Sequence, residues 1–242
     1  MALEKTLVTL EKQAHGLLDL VYPPVCGLCG NLADSDDRLI CPRCWATIDG
    51  FPQPYCLECK SFLSTKITCP LCRKRTVPIF SLGYFDAGLK TIIYDLKFGG
   101  LKPLGRPLGV KLASIIDRSD LALHIRAIVP VPLHPSIIAE RGFNQAEEIA
   151  SGLSAGLGRP CLANLLMTTR KTKQQSKLSG SEREQNVYGA FAVRDKEHFP
   201  VGETLLLVDD VTTTGATLME NIRVLREAGA GQVIGAVAAT AV

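Results

Sequence analysis

The sequence lacks the long apolar runs, repeats and biased tracts that define several protein classes. No apolar stretch approaches the ~18 to 20 residues of a membrane-spanning helix. There is no low-complexity tract and, apart from paired cysteines, no internal repeat. No secretory signal precedes the cysteines, so we expect a cytoplasmic protein with reduced thiols. What remains is a chain of 242 residues, 46% of them hydrophobic, which can bury the core of one or two domains.

The cysteines are paired along the sequence rather than scattered. Eight of the nine form Cys-x-x-Cys pairs, separated by 11, 11 and 9 residues. A tetrahedral zinc site needs two such knuckles, so the spacing predicts two structural Zn²⁺ ions, with disulfides as the competing interpretation. Sequential grouping is the simplest, although a crossed grouping is also compatible with the spacing. The predicted ligands are Cys26, Cys29, Cys41 and Cys44 for one ion, and Cys56, Cys59, Cys69 and Cys72 for the other.

Zinc changes how the net charge is interpreted. The formal charge is +3 with neutral thiols. Each Zn²⁺ held by four thiolates contributes +2 − 4 = −2, so two sites bring +3 to about −1. The apparent basicity therefore gives no argument for nucleic-acid binding.

Residues 205 to 217 combine a buried strand, two carboxylates and a small hydroxyl-rich turn. Leu205 to Val208 is continuously apolar, as in a parallel strand covered on both faces, and Asp209 and Asp210 follow it. In open α/β sheets, ligands bind at this end of the strands. Gly215 permits close backbone approach to an anion at the start of the next helix. The segment predicts a sugar-phosphate site, whereas helix capping alone needs only one such residue. The turn residues are Thr212, Thr213, Thr214, Gly215 and Thr217.

The remainder of the chain predicts an α/β fold, a mainly parallel sheet flanked by helices. Strands are expected near 79–85, 126–131, 162–166 and 232–239, and helices near 87–98 and 144–157. A polar segment at 168–186 is long enough to predict a functional loop, with a merely disordered surface loop as the alternative. The basic residues between 87 and 111 indicate either a solvated face or an anion-facing lip.

Three regions are predicted: an amphipathic helix at 1–22, a double zinc ribbon at 23–75 and an α/β catalytic domain at 76–242. Apolar residues at spacings of three and four, mixed with both signs of charge, indicate that the first region packs on the protein or on a partner subunit. Membrane-surface binding is the alternative.

The segment at 205–217 resembles the PRPP signature of type I phosphoribosyltransferases. Val-Pro-Val-Pro-Leu-His at 129–134, Arg-Gly-Phe-Asn-Gln-Ala-Glu at 141–147 and the paired cysteines narrow the resemblance to the ComF family of competence-associated proteins. This resemblance implies a zinc ribbon joined to a type I phosphoribosyltransferase core in a cytoplasmic protein that supports uptake of transforming DNA.

The resemblance also implies residue roles and partners. Asp209 and Asp210 would be catalytic and bind the ribose hydroxyls of PRPP with Mg²⁺, the Thr/Gly turn would bind the 5′-phosphate, and Arg141 would contact the diphosphate. Expected partners are PRPP or a related phosphosugar or nucleotide, single-stranded DNA, DNA-uptake motor or recombination-mediator proteins, and a second copy in a homodimer. A non-catalytic PRPP or nucleotide sensor and a DNA-uptake adaptor are the alternatives. A mobile loop over PRPP would carry Arg170, Gln175, Arg183 and Asn186.

Overall fold

The computed structural model describes residues 23–33, 39–48, 53–63, 68–73, 76–172 and 180–241, without the side chains of 87, 180, 181, 183 and 184. The helix predicted at 1–22 and the predicted loop residue Gln175 lie outside these ranges. The chain divides into two compact units, Met1–Ile48 and Asp49–Val242. The second zinc knuckle pair is therefore in the same unit as the α/β core. The domain boundaries predicted from the sequence stay predictions.

The first unit contains one short helix among its described residues, α1 (Pro42–Thr47), which begins directly after Cys41. Pro42 at the first helical turn suits this start, because proline has no N–H to leave unpaired there. A bridge between Val25 and Leu32 closes the turn that carries the first cysteine pair.

The second unit is built on a five-stranded sheet in the order β1-β2-β7-β6-β3. Strands β2, β7, β6 and β3 are parallel, and β1 pairs with β2 in antiparallel orientation at the edge. A separate antiparallel pair is formed by β4 and β5. The strands are β1 (Tyr55–Cys56), β2 (Pro78–Tyr84), β3 (Ile125–Pro130), β4 (Leu166–Thr168), β5 (Phe191–Val193), β6 (Thr204–Thr212) and β7 (Gln232–Thr240).

The helices cover both faces of the main sheet, as its almost uniformly buried central strands require. Leu205 and Leu207 share a core cluster with Leu218 and Ile222 of the helix that follows β6. Two short 3₁₀ turns occur at Lys102–Leu104 and Asp120–His124. The α-helices of this unit are α2 (Ala87–Phe98), α3 (Gly105–Ile116), α4 (Pro135–Arg141), α5 (Gln145–Leu157), α6 (Gly180–Val187) and α7 (Ala216–Glu227).

Helices α3 and α5 pack so closely that their backbones are in contact at two glycines. A Cβ on Gly109 would lie 2.0 Å from the carbonyl oxygen of Ile149, and one on Gly152 would lie 2.1 Å from that of Arg106. Neither distance leaves room for a side chain, so these glycines set the separation of the two helices. Because α5 begins at Gln145 beside the predicted ligand site, this packing also positions the site.

Three local predictions differ from the structure. The strand expected at 162–166 is instead β4 (Leu166–Thr168), because Leu162 donates its N–H to Ile128 in one contact and Leu165 turns back onto Leu162. Part of the polar segment at 168–186 is helical, in α6 (Gly180–Val187). Strand β6 continues through both acids to Thr212, because it pairs with β7 along its whole length, so Thr212 lies in the strand rather than in the turn.

Candidate functional site

The eight paired cysteines form two compact sulfur clusters, grouped sequentially. In each cluster the four sulfurs all lie within 4.8 Å of one another. Neighbouring sulfurs are 3.7 Å apart between Cys29 and Cys41, and 3.5 Å apart between Cys59 and Cys69. Four thiolates at Zn–S bonds of about 2.3 Å are about 3.8 Å apart in a tetrahedron, so both clusters fit zinc. No disulfide joins any of the nine cysteines, all of which are described.

Backbone N–H groups favour thiolate at both clusters. Burial raises the pKa of Cys26, but N–H groups led by that of Cys41 outweigh it and lower that pKa to about 6. At the second cluster, the N–H of Cys72 and the hydroxyl of Ser61 lower the pKa of Cys69 to about 6. Zinc binds the thiolate, so these donors favour the metal-binding form of Cys26 and Cys69, whereas burial raises the pKa of Cys44 and a hydrogen bond with Cys59 raises the pKa of Cys72. Because each cluster brings four sulfurs to tetrahedral spacing, the two sites are structural zinc sites.

Asp209, Asp210 and the turn that follows them lie at the carboxyl end of β6. Asp209 is partly buried and Asp210 is buried. Gly215 has φ +83° and caps α7, so the helix N-terminus opens toward the turn. The side chains of Thr213 and Thr217 and the backbone of Gly215 line one small recess with Asp209. The arrangement can receive an anion, because a helix N-terminus presents unpaired N–H groups and a positive dipole end.

The pKa of Asp209 is raised by its surroundings. Burial, and then the negative charge of Asp210, raise the pKa of Asp209 to about 7. Lys97 of α2 opposes this rise with its positive charge. Its Nζ lies 2.8 Å from Asp210 Oδ2, with side chains 23% and 13% exposed, so the ion pair is largely shielded from solvent. The site therefore holds one carboxylate paired with an ammonium beside a carboxyl that is half protonated near neutrality.

A cavity of about 430 Å³ opens above the acids. This volume is in the range of pockets that hold small ligands. Its walls come from α2, the β3–α4 connection, the start of α5, β4 and β5. Asp209, Asp210 and Thr217 therefore share one cavity with Arg141 and Arg170. The structure thus brings together predicted residues that are up to 76 positions apart in the sequence, from Arg141 to Thr217.

Arg141 lies at the end of α4, where Gly142 with φ +84° lets the chain turn into α5. Its Nη1 donates to Oε1 of Gln145 at 3.2 Å, and its guanidinium lies over the ring of Phe98 at 4.9 Å. Gln145 is buried, and its Nε2 has no hydrogen-bond partner within the described part of the chain. An unpaired buried donor beside an arginine is a natural contact for a phosphate oxygen.

Helix α2 contributes an aromatic wall that the sequence did not reveal as part of the site. Tyr94 and Phe98 are 62% and 55% exposed, and their ring centroids are 5.0 Å apart. Both line the cavity, together with Lys90 and Lys97 of the same helix. The sequence signal was the cluster of basic residues after 87, but only the structure shows that Lys97 reaches Asp210 and that the rings face the ligand space.

The predicted loop residues are only partly described. Arg170 lines the cavity, and its Nη2 donates to the backbone carbonyls of Asn186 and Tyr188 at 3.0 and 2.9 Å. Asn186 lies in α6. The side chain of Arg183 and the whole of Gln175 fall outside the described part, as do residues 173–179 generally. Arg170, at the start of the predicted loop segment, is therefore hydrogen-bonded to the end of that segment, next to the site.

None of the helices in the described ranges is long and apolar enough to cross a membrane.

Comparisons with known proteins agree with this architecture. Residues 17–73 match the double zinc ribbon domain family, and residues 108–241 match the phosphoribosyl transferase domain family. Competence protein F of Haemophilus influenzae is 32% identical over 84% of this chain and 91% of its own. DNA utilization protein YhgH of Escherichia coli K12 is 29% identical over 86% of this chain and 87% of its own.

Among solved structures, glutamine phosphoribosylpyrophosphate (PRPP) amidotransferase of B. subtilis matches with a TM-score of 0.37 and 23% identity, over 55% of this chain and 25% of that chain. One assignment follows from two sequential four-cysteine clusters, a mainly parallel sheet with an acid pair before a hydroxyl-rich turn, and an extensive match to competence protein F. The chain belongs to the ComF family, in which a double zinc ribbon is joined to a phosphoribosyltransferase domain.

Proposed function

We propose that the protein binds PRPP with Mg²⁺ and transfers its phosphoribosyl group to a nitrogen nucleophile, in support of DNA uptake. The observation that carries this proposal is a shared cavity lined by the acid pair, Thr217, Arg141 and Gln145, with the phosphate turn (residues 213–215) at an adjoining recess that Asp209 and Thr217 also line. A ligand with a phosphate at one end, hydroxyls in the middle and a diphosphate at the other end matches these groups in order. Mg²⁺ would supply charge neutralisation for the diphosphate.

The 5′-phosphate is assigned to the turn. Backbone N–H groups at the start of α7 and the hydroxyls of Thr213, Thr214 and Thr217 offer donors at short range. The 2′ and 3′ hydroxyls are assigned to Asp209 and Asp210, since an ionised carboxylate only accepts hydrogen bonds. Lys97 balances the charge of Asp210 until the ligand arrives.

The diphosphate is assigned to Arg141 and the unpaired Nε2 of Gln145. In the transfer, the C1–O bond to the diphosphate breaks, and pyrophosphate leaves with the bonding electron pair. A C1–N bond forms, and the acceptor nitrogen releases its proton to solvent. The fixed donors and acids hold C1 and the leaving group in place, and they stabilise the charge that develops in the transition state. Arg170 would hold the segment at 173–186 near the bound ligand.

The acceptor is assigned to the aromatic wall of α2. Tyr94 and Phe98 are exposed and line the cavity, with Arg141 over one face of the Phe98 ring, and a planar heterocycle can stack on the ring faces that Arg141 leaves open. The acceptor is therefore assigned to the part of the cavity that α2 lines. Because every base has a π-face, stacking alone does not choose among bases.

The role in DNA uptake is supported by the names of the relatives, one a competence protein and one a DNA utilization protein. We propose that the protein acts in the cytoplasm, contacts single-stranded DNA and DNA-uptake motor or recombination-mediator proteins, and forms a homodimer. Transformation frequency in cells carrying the double variant Asp209→Asn, Asp210→Asn tests whether the ligand site serves this role. Wild-type frequency in that variant would separate DNA uptake from ligand binding.

Ligand binding is tested by thermal and chemical unfolding with PRPP and Mg²⁺. At a ligand concentration one hundred times the dissociation constant, the wild type should gain about 2.7 kcal/mol in free energy of unfolding. The double variant should gain nothing while keeping its fold. Asp195→Asn is the matched control, because Asp195 is an exposed acid with local hydrogen bonds to Glu197 and His198. Equal stabilisation of the wild type and the double variant would place the ligand elsewhere. Pyrophosphate release with candidate bases then tests turnover.

A further inference from the structure

The phosphate turn is short. Between the end of β6 at Thr212 and the start of α7 at Ala216 lie only three residues. Gly215 has φ +83° and no side chain to cap the helix. The N–H of Ala216 donates to Thr214 Oγ1 at 3.4 Å. The turn is also contacted by residues from outside it.

One such contact comes from the Cys56–Cys59 knuckle of the second zinc cluster. Leu57 lies between the zinc ligands Cys56 and Cys59 and is 2% exposed. A Cβ built on Gly215 would lie 2.8 Å from Cδ1 and 3.1 Å from Cγ of Leu57, so the leucine covers Gly215 closely. Leu57 belongs to the same core cluster as Ala216, the first residue of α7. The knuckle thus packs on the far end of the phosphate turn.

A second contact supports the near end. Tyr55 is fully buried, and its hydroxyl lies 2.7 Å from Oγ1 of Thr240. Thr240 is the register partner of Thr212 in the parallel pair of β6 and β7. The N–H of Ala241 donates to the carbonyl oxygen of Thr212 at 2.8 Å. Tyr55 therefore holds the end of β7 in place. Thr212, the last residue before the turn, is hydrogen-bonded to this end of β7.

Both supporting residues flank one zinc ligand. Tyr55 and Leu57 are the neighbours of Cys56, whose sulfur belongs to the second cluster. Strand β1 pairs with β2 through only two residues, Tyr55 and Cys56, which is too short a strand to hold the knuckle by itself. Zinc bonds from Cys56 and Cys59, with two more from Cys69 and Cys72, would fix the knuckle, because structural zinc contributes folding free energy directly.

We infer that the second zinc site is part of the phosphate site, with Leu57 and Tyr55 as positioning residues that hold the two ends of the phosphate turn. This inference rests on the proposed function for its ligand, but its effect on the turn exists without ligand. The zinc ion itself touches no substrate. The segment held by the second zinc cluster is thereby a structural part of the α/β domain. Zinc occupancy of this cluster controls how tightly the turn binds phosphate.

The first test compares matched ligand substitutions in the full-length protein. Cys59→Ser and Cys29→Ser each remove one exposed sulfur, from the second and the first cluster. Zinc content should fall from two ions to one in both. Only Cys59→Ser should speed amide hydrogen exchange at residues 213–217 and weaken binding of PRPP with Mg²⁺, by at least about tenfold. Equal loop protection in the two variants would overturn the inference.

The second test keeps both zinc ions. Leu57→Ala should expose the turn to exchange and weaken PRPP binding at least about tenfold, while Leu57→Met should restore both, because methionine fills a similar volume. Leu63→Ala is the matched control, because Leu63 is equally buried but packs with Cys56 and Cys69 in the second ribbon's own cluster. Two zinc ions with wild-type exchange at residues 213–217 in Leu57→Ala would refute the positioning role.

Failure of the proposed function has a different signature. If wild-type protein fails to bind PRPP or inorganic phosphate, the ligand assignment is wrong. The exchange comparison still decides whether Leu57 holds the turn. If the wild type binds and Leu57→Ala binds equally well, the ligand assignment stands and the positioning role is wrong.

Discussion

Ligand affinity should depend on pH through Asp209. Its raised pKa of about 7 means that about half of the ligand-free molecules carry a proton on this carboxyl at neutral pH. Because a carboxylate must accept hydrogen bonds from ligand hydroxyls, binding selects the ionised form and releases that proton. Affinity should therefore rise with pH and level off above the pKa.

The size of the effect follows from the same value. The apparent dissociation constant scales as 1 + 10^(pKa − pH), which is about 11 at pH 6 and about 1.1 at pH 8 for a pKa near 7. Affinity for PRPP with Mg²⁺ should thus weaken about tenfold between pH 8 and pH 6. Calorimetry in buffers of different ionisation enthalpy should find about half a proton released per ligand at pH 7. The ligand phosphates also titrate. A comparison of protein variants is therefore needed to assign the pH dependence to Asp209.

Lys97 provides that comparison. Its positive charge lowers the pKa of Asp209, so Lys97→Met should move the midpoint of the pH profile upward. Lys90→Met is the matched control, because Lys90 lines the same cavity on the same helix and is not among the causes of the Asp209 shift. The carboxyl carbon shift of Asp209, followed by NMR in ligand-free protein, should show the same displacement. An identical midpoint in wild type and Lys97→Met would refute the reasoning.

The sign for stability is opposite to that for binding. A folded-state pKa above the ordinary value means that the folded protein holds a proton that the unfolded chain releases. The free energy of unfolding of ligand-free protein should therefore fall as pH rises from about 4 to about 7. Asp209→Asn should remove this part of the pH dependence, as measured by urea unfolding at several pH values.

Three further outcomes are expected. Elemental analysis of purified protein should find two zinc ions per chain, and an iron–sulfur spectrum or a single zinc would contradict the cluster assignment. Gly109→Ala and Gly152→Ala should each lower the free energy of unfolding by about 2 to 4 kcal/mol in urea titrations, because each Cβ meets backbone at close to 2 Å; a loss under about 1 kcal/mol would mean that the helices separate easily. Tyr94→Ala should weaken acceptor use in pyrophosphate-release assays and leave PRPP binding nearly unchanged, whereas a parallel loss of PRPP binding would place the ring against the phosphosugar instead.

The local elements could be predicted from the sequence because their causes are local. The helix after Gly215 follows from apolar residues at helical spacing, and the buried strand at 205–208 follows from an unbroken apolar run. The strand expected at 162–166 failed for the opposite reason. A short apolar run does not say whether a partner strand lies beside it, and here Leu162 makes a single backbone contact to Ile128 while pairing begins only at Leu166.

The sequence by itself determined the zinc chemistry, through four knuckles spaced for two ions, and it predicts a phosphosugar site from an acid pair before a small turn. Only the tertiary structure decided how these parts combine. It pairs Lys97 with Asp210, and it joins β1 of the second ribbon to the edge of the main sheet. It also seats Leu57 on Gly215, 158 positions away in the sequence. Such contacts depend on which surfaces are complementary after the chain has folded, and neither residue spacing nor hydrophobic periodicity carries that information.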